Sequence, residues 1–182
     1  MRKLFNLTTV ASGAALGLIV AGILAIVGGG YAHKVVHDQL APQKIFFAAD
    51  AKSMPPGIRQ YAGRQVDTAG EAKVFADKYI AVHLKEVAGG QTYSQVSAKF
   101  LQDPTNQKLA QQRQTLFMGE MLRSTLLSAW GWGTIGTIAT IAGIALIGIG
   151  GILLAVPLLA AFAARRREPA TAIGRVKPTP AH

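Results

Sequence analysis

The sequence predicts an all-α membrane protein: two transmembrane helices and a small helical extracytoplasmic domain, the last helix running from that domain into the membrane. Three observations carry this expectation. Residues 124–164 contain no charged side chain and lie between Arg123 and the triplet Arg165, Arg166, Arg167. A bilayer's hydrocarbon needs only ~20 apolar residues in a helix, so this run is long enough to cross and continue past both faces. A second uncharged run, residues 4–32, follows Arg2 and Lys3. Half of the 182 residues are hydrophobic and 20 are glycine, a composition of membrane proteins with a modest water-exposed part.

Charge and cysteine usage narrow the function classes. The net charge of +10 is unevenly placed. The two ends hold seven basic residues against Glu168, leaving +6, while the segment between them holds twelve against eight, leaving +4 with both signs interspersed. Basic residues beside apolar helices suit cytoplasmic flanks attracted to anionic lipid, and the expected partner is the lipid bilayer, not nucleic acid. Cysteine is absent, which excludes disulfides, thiolate metal sites and a thiol nucleophile.

The first anchor is placed at residues 7–30, after a cytoplasmic N-terminus at 1–6. Its apolar run exceeds the ~7–15 residues of a secretory signal core, so an uncleaved anchor is expected; Gly30-Tyr31-Ala32 leaves cleavage open as the alternative. Gly13 and Gly17 form a GxxxG, whose small residues let a second helix approach in lipid; a glycine-rich anchor without a chosen partner is the other reading. Helix continues through Tyr31 to Leu40 until Pro42. His33 and His37, four apart on one face, have a spacing that can hold a metal, with His83 a third nitrogen. No spacing rule brings His83 there, and the expectation is no metal and no cofactor.

Residues 31–130 form the predicted outer domain. Lys44 to Ala49 reads as a short extended segment packed on later helices, and Ser53 to Gly57 as a proline-glycine loop. Thr68-Ala69-Gly70-Glu71 matches a capping box; its helix runs to Ala88 and stops at Gly89-Gly90. Phe75, Tyr79, Ile80, His83 and Val87, with Ala72 and Ala76, form its expected apolar stripe, where His83 reads as a hydrogen-bonded core residue. Thr92 to Gln95 repeats the cap and starts a helix ending near Gln102. Asp103-Pro104 reads as the start of the last helix. Leu109, Leu116, Phe117, Met121 and Leu122 are expected to face the preceding helices, and Gln111, Gln112 and Gln114 to face water. A bend near Gly119 or Gly131–Gly133 is allowed for.

The second anchor is placed at residues 131–162, followed by a basic, disordered cytoplasmic tail at 163–182. Trp130 and Trp132 sit where an aromatic belt marks the outer interface, and Arg165, Arg166 and Arg167 where positive residues mark the inner one. Gly136 and Gly143 are expected to serve helix packing. Neither anchor carries a charged residue of the kind that pumps and voltage sensors require. Both termini are therefore expected inside and the middle of the chain outside.

Four short motifs carry a resemblance: His37-Asp38-Gln39-Leu40 with Gln43-Lys44-Ile45, Tyr79 to Leu84, Gly89 to Ser94, and Gly119-Glu120-Met121-Leu122-Arg123. Over roughly residues 31–140 the chain resembles a family of two-anchor actinobacterial membrane proteins. Relatives usually carry Thr where this chain has Met121. Some are labelled aromatic ring-opening dioxygenases, which implies an iron held by two histidines and a carboxylate; His33, His37 and His83 are the donors such a set would draw on. Glu120 and Arg123, three apart, read as an ion pair. With no nucleophile triad, carboxylate pair or phosphate-binding loop, the expected function is non-enzymatic: a structural or accessory partner acting through the outer domain, toward a membrane protein or a second copy. The alternative is an extracytoplasmic ligand- or metal-binding sensor that signals through a partner.

Overall fold

The computed structural model describes residues 2–166. Two helices dominate: α1 (Arg2–Leu40) and α5 (Gln107–Arg166), each unbroken. Each carries a stretch long and apolar enough to cross a membrane, Val10–Gln43, which runs just past the end of α1, and Gln107–Leu159. Between them come α2 (Ala69–Val74), a π-helical segment (Phe75–Ile80) and α3 (Ala81–Val87), which run on without interruption, and then α4 (Tyr93–Gln102). Packing divides the chain into two compact units. One is built from α1 up to Ile23 with α5 from Gly143 onward, the other from Leu24–Ala142.

In the first unit α1 and α5 meet backbone to backbone. A Cβ added to Gly22 would stand 2.6 Å from the carbonyl oxygen of Gly143, and one added to Gly150 would stand 2.8 Å from that of Ala15. The order of the pairs makes the helices antiparallel. In the second unit the same relation joins Gly136 to Gly29, whose carbonyl oxygen would lie 2.9 Å from an added Cβ. Ala15, Gly22 and Gly29 on α1, and Gly136, Gly143 and Gly150 on α5, are all buried and recur every seven residues. A seven-residue repeat keeps one narrow seam facing its partner along two helices, and small residues let the axes approach. Gly13 and Gly17 lie on the opposite face of α1, exposed, with nothing within 4 Å of an added Cβ. The Thr134, Thr137 and Thr140 hydroxyls donate to the carbonyls of Trp130, Gly133 and Gly136 at 2.9, 3.0 and 2.9 Å, so α5 carries no unspent hydroxyl donor among them.

The core of the second unit is built around Phe47, which is almost fully buried. Its ring meets Tyr61 at 5.1 Å, Phe75 at 5.0 Å and Tyr79 at 6.1 Å, and Phe75 stacks on Tyr79 at 4.8 Å. Phe47 is held there by backbone pairing of two extended stretches: Phe47 N–H donates to Arg64, Val66 N–H to Ile45 and Gly63 N–H to Ala48. Between the stretches, two 3-10 turns (Ala51–Ser53 and Pro56–Tyr61) wrap the loop, and Met54 and Ile58 are drawn into the core. Met54, read from sequence as loop, is thus a core residue.

Both capping boxes form. Thr68 with Glu71 opens α2, and Thr92 with Gln95 opens α4. The helix leaving α3 closes as expected at Gly89 and Gly90, φ 59° and 81°, where Gly90 N–H reaches the Lys85 carbonyl.

Three expectations need correction. A π turn takes up more residues than an α turn, so past Phe75–Ile80 the inward face falls on Leu84 and Ala88. Val87 becomes half-buried, and His83 is exposed rather than in the core. The last helix starts at Gln107, not at Pro104. Asp103 spends its carboxylate on the Thr105 hydroxyl and the Asn106 amide, and Asn106 supplies the cap by accepting from Leu109 N–H. On that helix Leu116 is buried and Leu109 half-buried, but Phe117, Met121 and Leu122 are exposed, while Gln112 donates to the Val87 carbonyl at 2.9 Å.

Replacing Gly22 with Leu should lower stability by about 1–3 kcal/mol, the usual cost of overpacking, because a backbone carbonyl cannot move aside as a side chain would. Gly13→Leu should leave the detergent-purified chain's melting temperature within about 1 °C of the parent. Equal losses at the two positions would refute the seam.

Candidate functional site

The elements of the second unit converge where α1, the start of α2 and α5 meet. Here the carboxylate of Glu71, 5% exposed, is the only buried charged group among the described residues. It accepts from the Thr68 hydroxyl at 2.8 Å, from Thr68 N–H at 3.2 Å and from Asp67 N–H at 3.4 Å, and it pairs with Arg64. Burial pushes its pKa up. The donors on Thr68 and Asp67, together with the Arg64 guanidinium, outweigh that and hold it below the usual carboxylate range.

A second group of charges fastens the α2–π–α3 run to α5. Arg123 donates through Nε to the Ala76 carbonyl at 3.0 Å, pairs with Glu120 at 2.8 Å and stands 3.6 Å from Asp77. The Glu120–Arg123 pair read from sequence is therefore present, as part of a larger set. Lys73 donates to Asp77 at 2.7 Å and lies 4.2 Å from the centre of the Trp130 ring, a cation–π contact. The Lys73 hydrogen bond lowers the Asp77 pKa, against a smaller opposing effect of burial, and Arg123 adds to the lowering. Asp103, fully exposed, is also held low by donation from Thr105 and Asn106.

The histidines are placed separately. His33 lies on α1 with Nε2 3.3 Å from the Thr137 hydroxyl. His37 has Nδ1 3.3 Å from the Asp67 carbonyl, and His83 is exposed on α3. Among the described residues no three of His, Cys, Asp and Glu come together as a metal site needs. Asp38, adjacent to His37, pairs with Lys34 instead.

Two hollows border these groups. A small one of about 280 Å³ is lined by His33, the Thr68–Gly70 turn, Trp130 and Thr137. A larger groove of about 1310 Å³ runs between α1 and α5, with Trp132, Leu126 and Ile135 on one wall and Val36 and Leu40 on the other. The two tryptophans thus part company: Trp130 faces Lys73 and the small hollow, and Trp132, 61% exposed, faces the groove. Tyr79, His83 and Tyr93 line neither hollow; Tyr79 stacks in the core and Tyr93 meets Phe117.

Gly136 and Gly143 lie in the seam between α1 and α5, whereas Gly13 and Gly17 do not. Sequence reading passed over Ala15, Gly22, Gly29 and Gly150, although their seven-residue spacing was there to be read. Arg165 and Arg166 close α5, and Arg167 with the rest of the tail lies outside the described residues.

Because the Glu71 pKa is lowered on folding, its contribution to stability is complete above the unfolded value of ~4.3 and is lost as pH falls below it toward the folded value. Glu71→Gln should cost about 1–3 kcal/mol at pH 7, and the gap to the parent should narrow as thermal melts are taken down from pH 5 to 3. A pH-independent gap would show that the charge is not what the site uses. In comparisons with known proteins, no family model, no curated protein and no solved structure matches the chain.

Proposed function

We propose that the chain is a non-enzymatic integral membrane protein, both termini in the cytoplasm, whose outer helical domain acts as a structural or accessory partner to another membrane protein or to a second copy. The observation that carries this reading is an apolar stripe on α5 outside the uncharged run: Phe117, Met118, Met121 and Leu122 are 51, 62, 55 and 38% exposed. Four large apolar side chains adjoining on one helix face, above Trp130, exceed the scattered exposure of ordinary surfaces. Aromatic residues and methionine are also enriched where proteins meet.

The membrane placement draws support from the two long apolar helices and from Arg2, Lys3 and the arginine triplet at the opposite ends of the pair. Membership of the two-anchor actinobacterial family is part of the proposal. In this chain the motif residues do structural work: His37 meets the Asp67 carbonyl, Gly89 to Gln95 close α3 and open α4, and Glu120 and Arg123 belong to the charge group on α5.

The lack of native cysteine makes topology directly testable. A single Cys at Lys85 should react with a membrane-impermeant maleimide on intact cells, and one at Arg175 only after lysis; the reverse pattern would overturn the orientation. For the partner surface, the detergent-solubilised chain should co-purify with a stoichiometric companion or as a dimer. Phe117→Ser with Met121→Ser should weaken that association by at least about tenfold, while Val82→Ser, elsewhere on the domain, should not. Equal recovery with both variants would refute the assignment of the stripe.

A further inference from the structure

We infer that the groove between α1 and α5 in the second unit binds a single-chain amphiphile: a long acyl chain carrying an uncharged, hydroxyl-bearing head. The inference rests on the membrane placement proposed above and goes beyond the partner role, whose stripe shares only Leu122 with the groove.

Size and shape come first. At about 1310 Å³ the groove exceeds the ~300–1,000 Å³ of ordinary small-molecule pockets. It extends from Gly28 on α1 to Gln43, just past the end of that helix, and along α5 from Leu122 to Ala139, a length suited to a chain rather than a compact ligand. Its base is apolar, with Val36, Leu40 and Leu126 each at most 5% exposed.

The two ends differ in chemistry. Gly28, Gly136 and Ala139 line one end, and all three lie inside the uncharged runs. In the proposed placement that end opens onto hydrocarbon, so the apolar material most abundant beside the groove is a lipid chain. At the other end Gln39, Gln43 and Ser128 line the groove, exposed, their side chains making no hydrogen bond among the described residues. An apolar channel that ends in a few unspent polar groups is how proteins fix the orientation of an amphiphile.

Charge selects the head. Among the described residues Asp38 is the only charged one lining the groove, and Lys34 pairs with it. A phosphate or carboxylate would meet no spare positive charge there and would face Asp38, whereas the amides of Gln39 and Gln43 and the Ser128 hydroxyl can both donate to and accept from hydroxyls. A monoacylglycerol has that chemistry.

The test uses the full chain, purified in detergent and examined by native mass spectrometry with monooleoylglycerol, oleate or a phosphatidylglycerol as probe. One monooleoylglycerol per chain is expected at saturation, with oleate and phosphatidylglycerol at least about fivefold weaker. Ser128→Trp, which fills the groove from an exposed position, should weaken binding at least about tenfold, and Phe117→Ser should leave it unchanged. If Ser128→Trp melts early, Gln39→Leu with Gln43→Leu provides the second arm, expected to erase the preference for monooleoylglycerol over oleate. Graded, non-saturating adducts, a preference for either anionic probe, a chain dimer in place of the adduct, or indifference to both sets of variants would overturn the inference. Alkaline carbonate washing of cell membranes separates the two readings: a released chain refutes the membrane placement, whereas a retained chain that takes up no monooleoylglycerol refutes the groove alone.

Discussion

The approach of α1 to α5 at glycine is the constraint on which the other arrangements rest. In each unit a carbonyl oxygen of one helix occupies the space a methyl group would need on the other. Lipid tails are as apolar as leucine, so helices in a membrane gain little from burying apolar side chains against each other; close packing of small residues is what remains. The seven-residue spacing of Ala15, Gly22 and Gly29, and of Gly136, Gly143 and Gly150, meets that need with few side chains. It leaves leucine and isoleucine facing outward, as the exposure of Ile138, Ile141 and Ile144 illustrates.

The run from α2 to α3 in the second unit is organised by polar groups. Arg123 and Lys73 attach the α2–π–α3 run to α5 through Ala76, Asp77, Glu120 and Trp130. Individually such partly exposed pairs stabilise little. Their value here is geometric: they fix the register of that run against a helix that is polar at one end and apolar at the other. Glu71 does the same for the turn entering α2, where four donors satisfy one buried carboxylate. Among the described residues no buried side-chain nitrogen or oxygen lacks a partner, so none of this polar apparatus is left at the full cost of desolvation.

A consequence is that the chain presents two distinct apolar surfaces outside the seam. One is the exposed stripe of Phe117, Met118 and Met121. The other is the groove walled by Ile135, Trp132 and Leu126, and Leu122 belongs to both. The proposed partner contact is assigned to the stripe, and the proposed amphiphile site to the groove.

The amino-acid sequence by itself determined the elements whose physics is local. The two long helices followed from uncharged runs, the starts of α2 and α4 from Thr68–Glu71 and Thr92–Gln95, and the stop after α3 from Gly89-Gly90, because each signal needs only a few neighbouring residues. The glycine seam was legible too, in the spacing by seven, but the nearer GxxxG at Gly13 and Gly17 drew the reading. What only the tertiary structure decided was non-local. The π segment, which turned His83 outward and Leu84 inward, has no signal in the short window that sets a capping box. Asp103 prefers the Thr105 and Asn106 side chains over capping a helix at Pro104. The groove is lined by residues of both α1 and α5, far apart along the chain, and no pattern within either helix records the shape of the space between them.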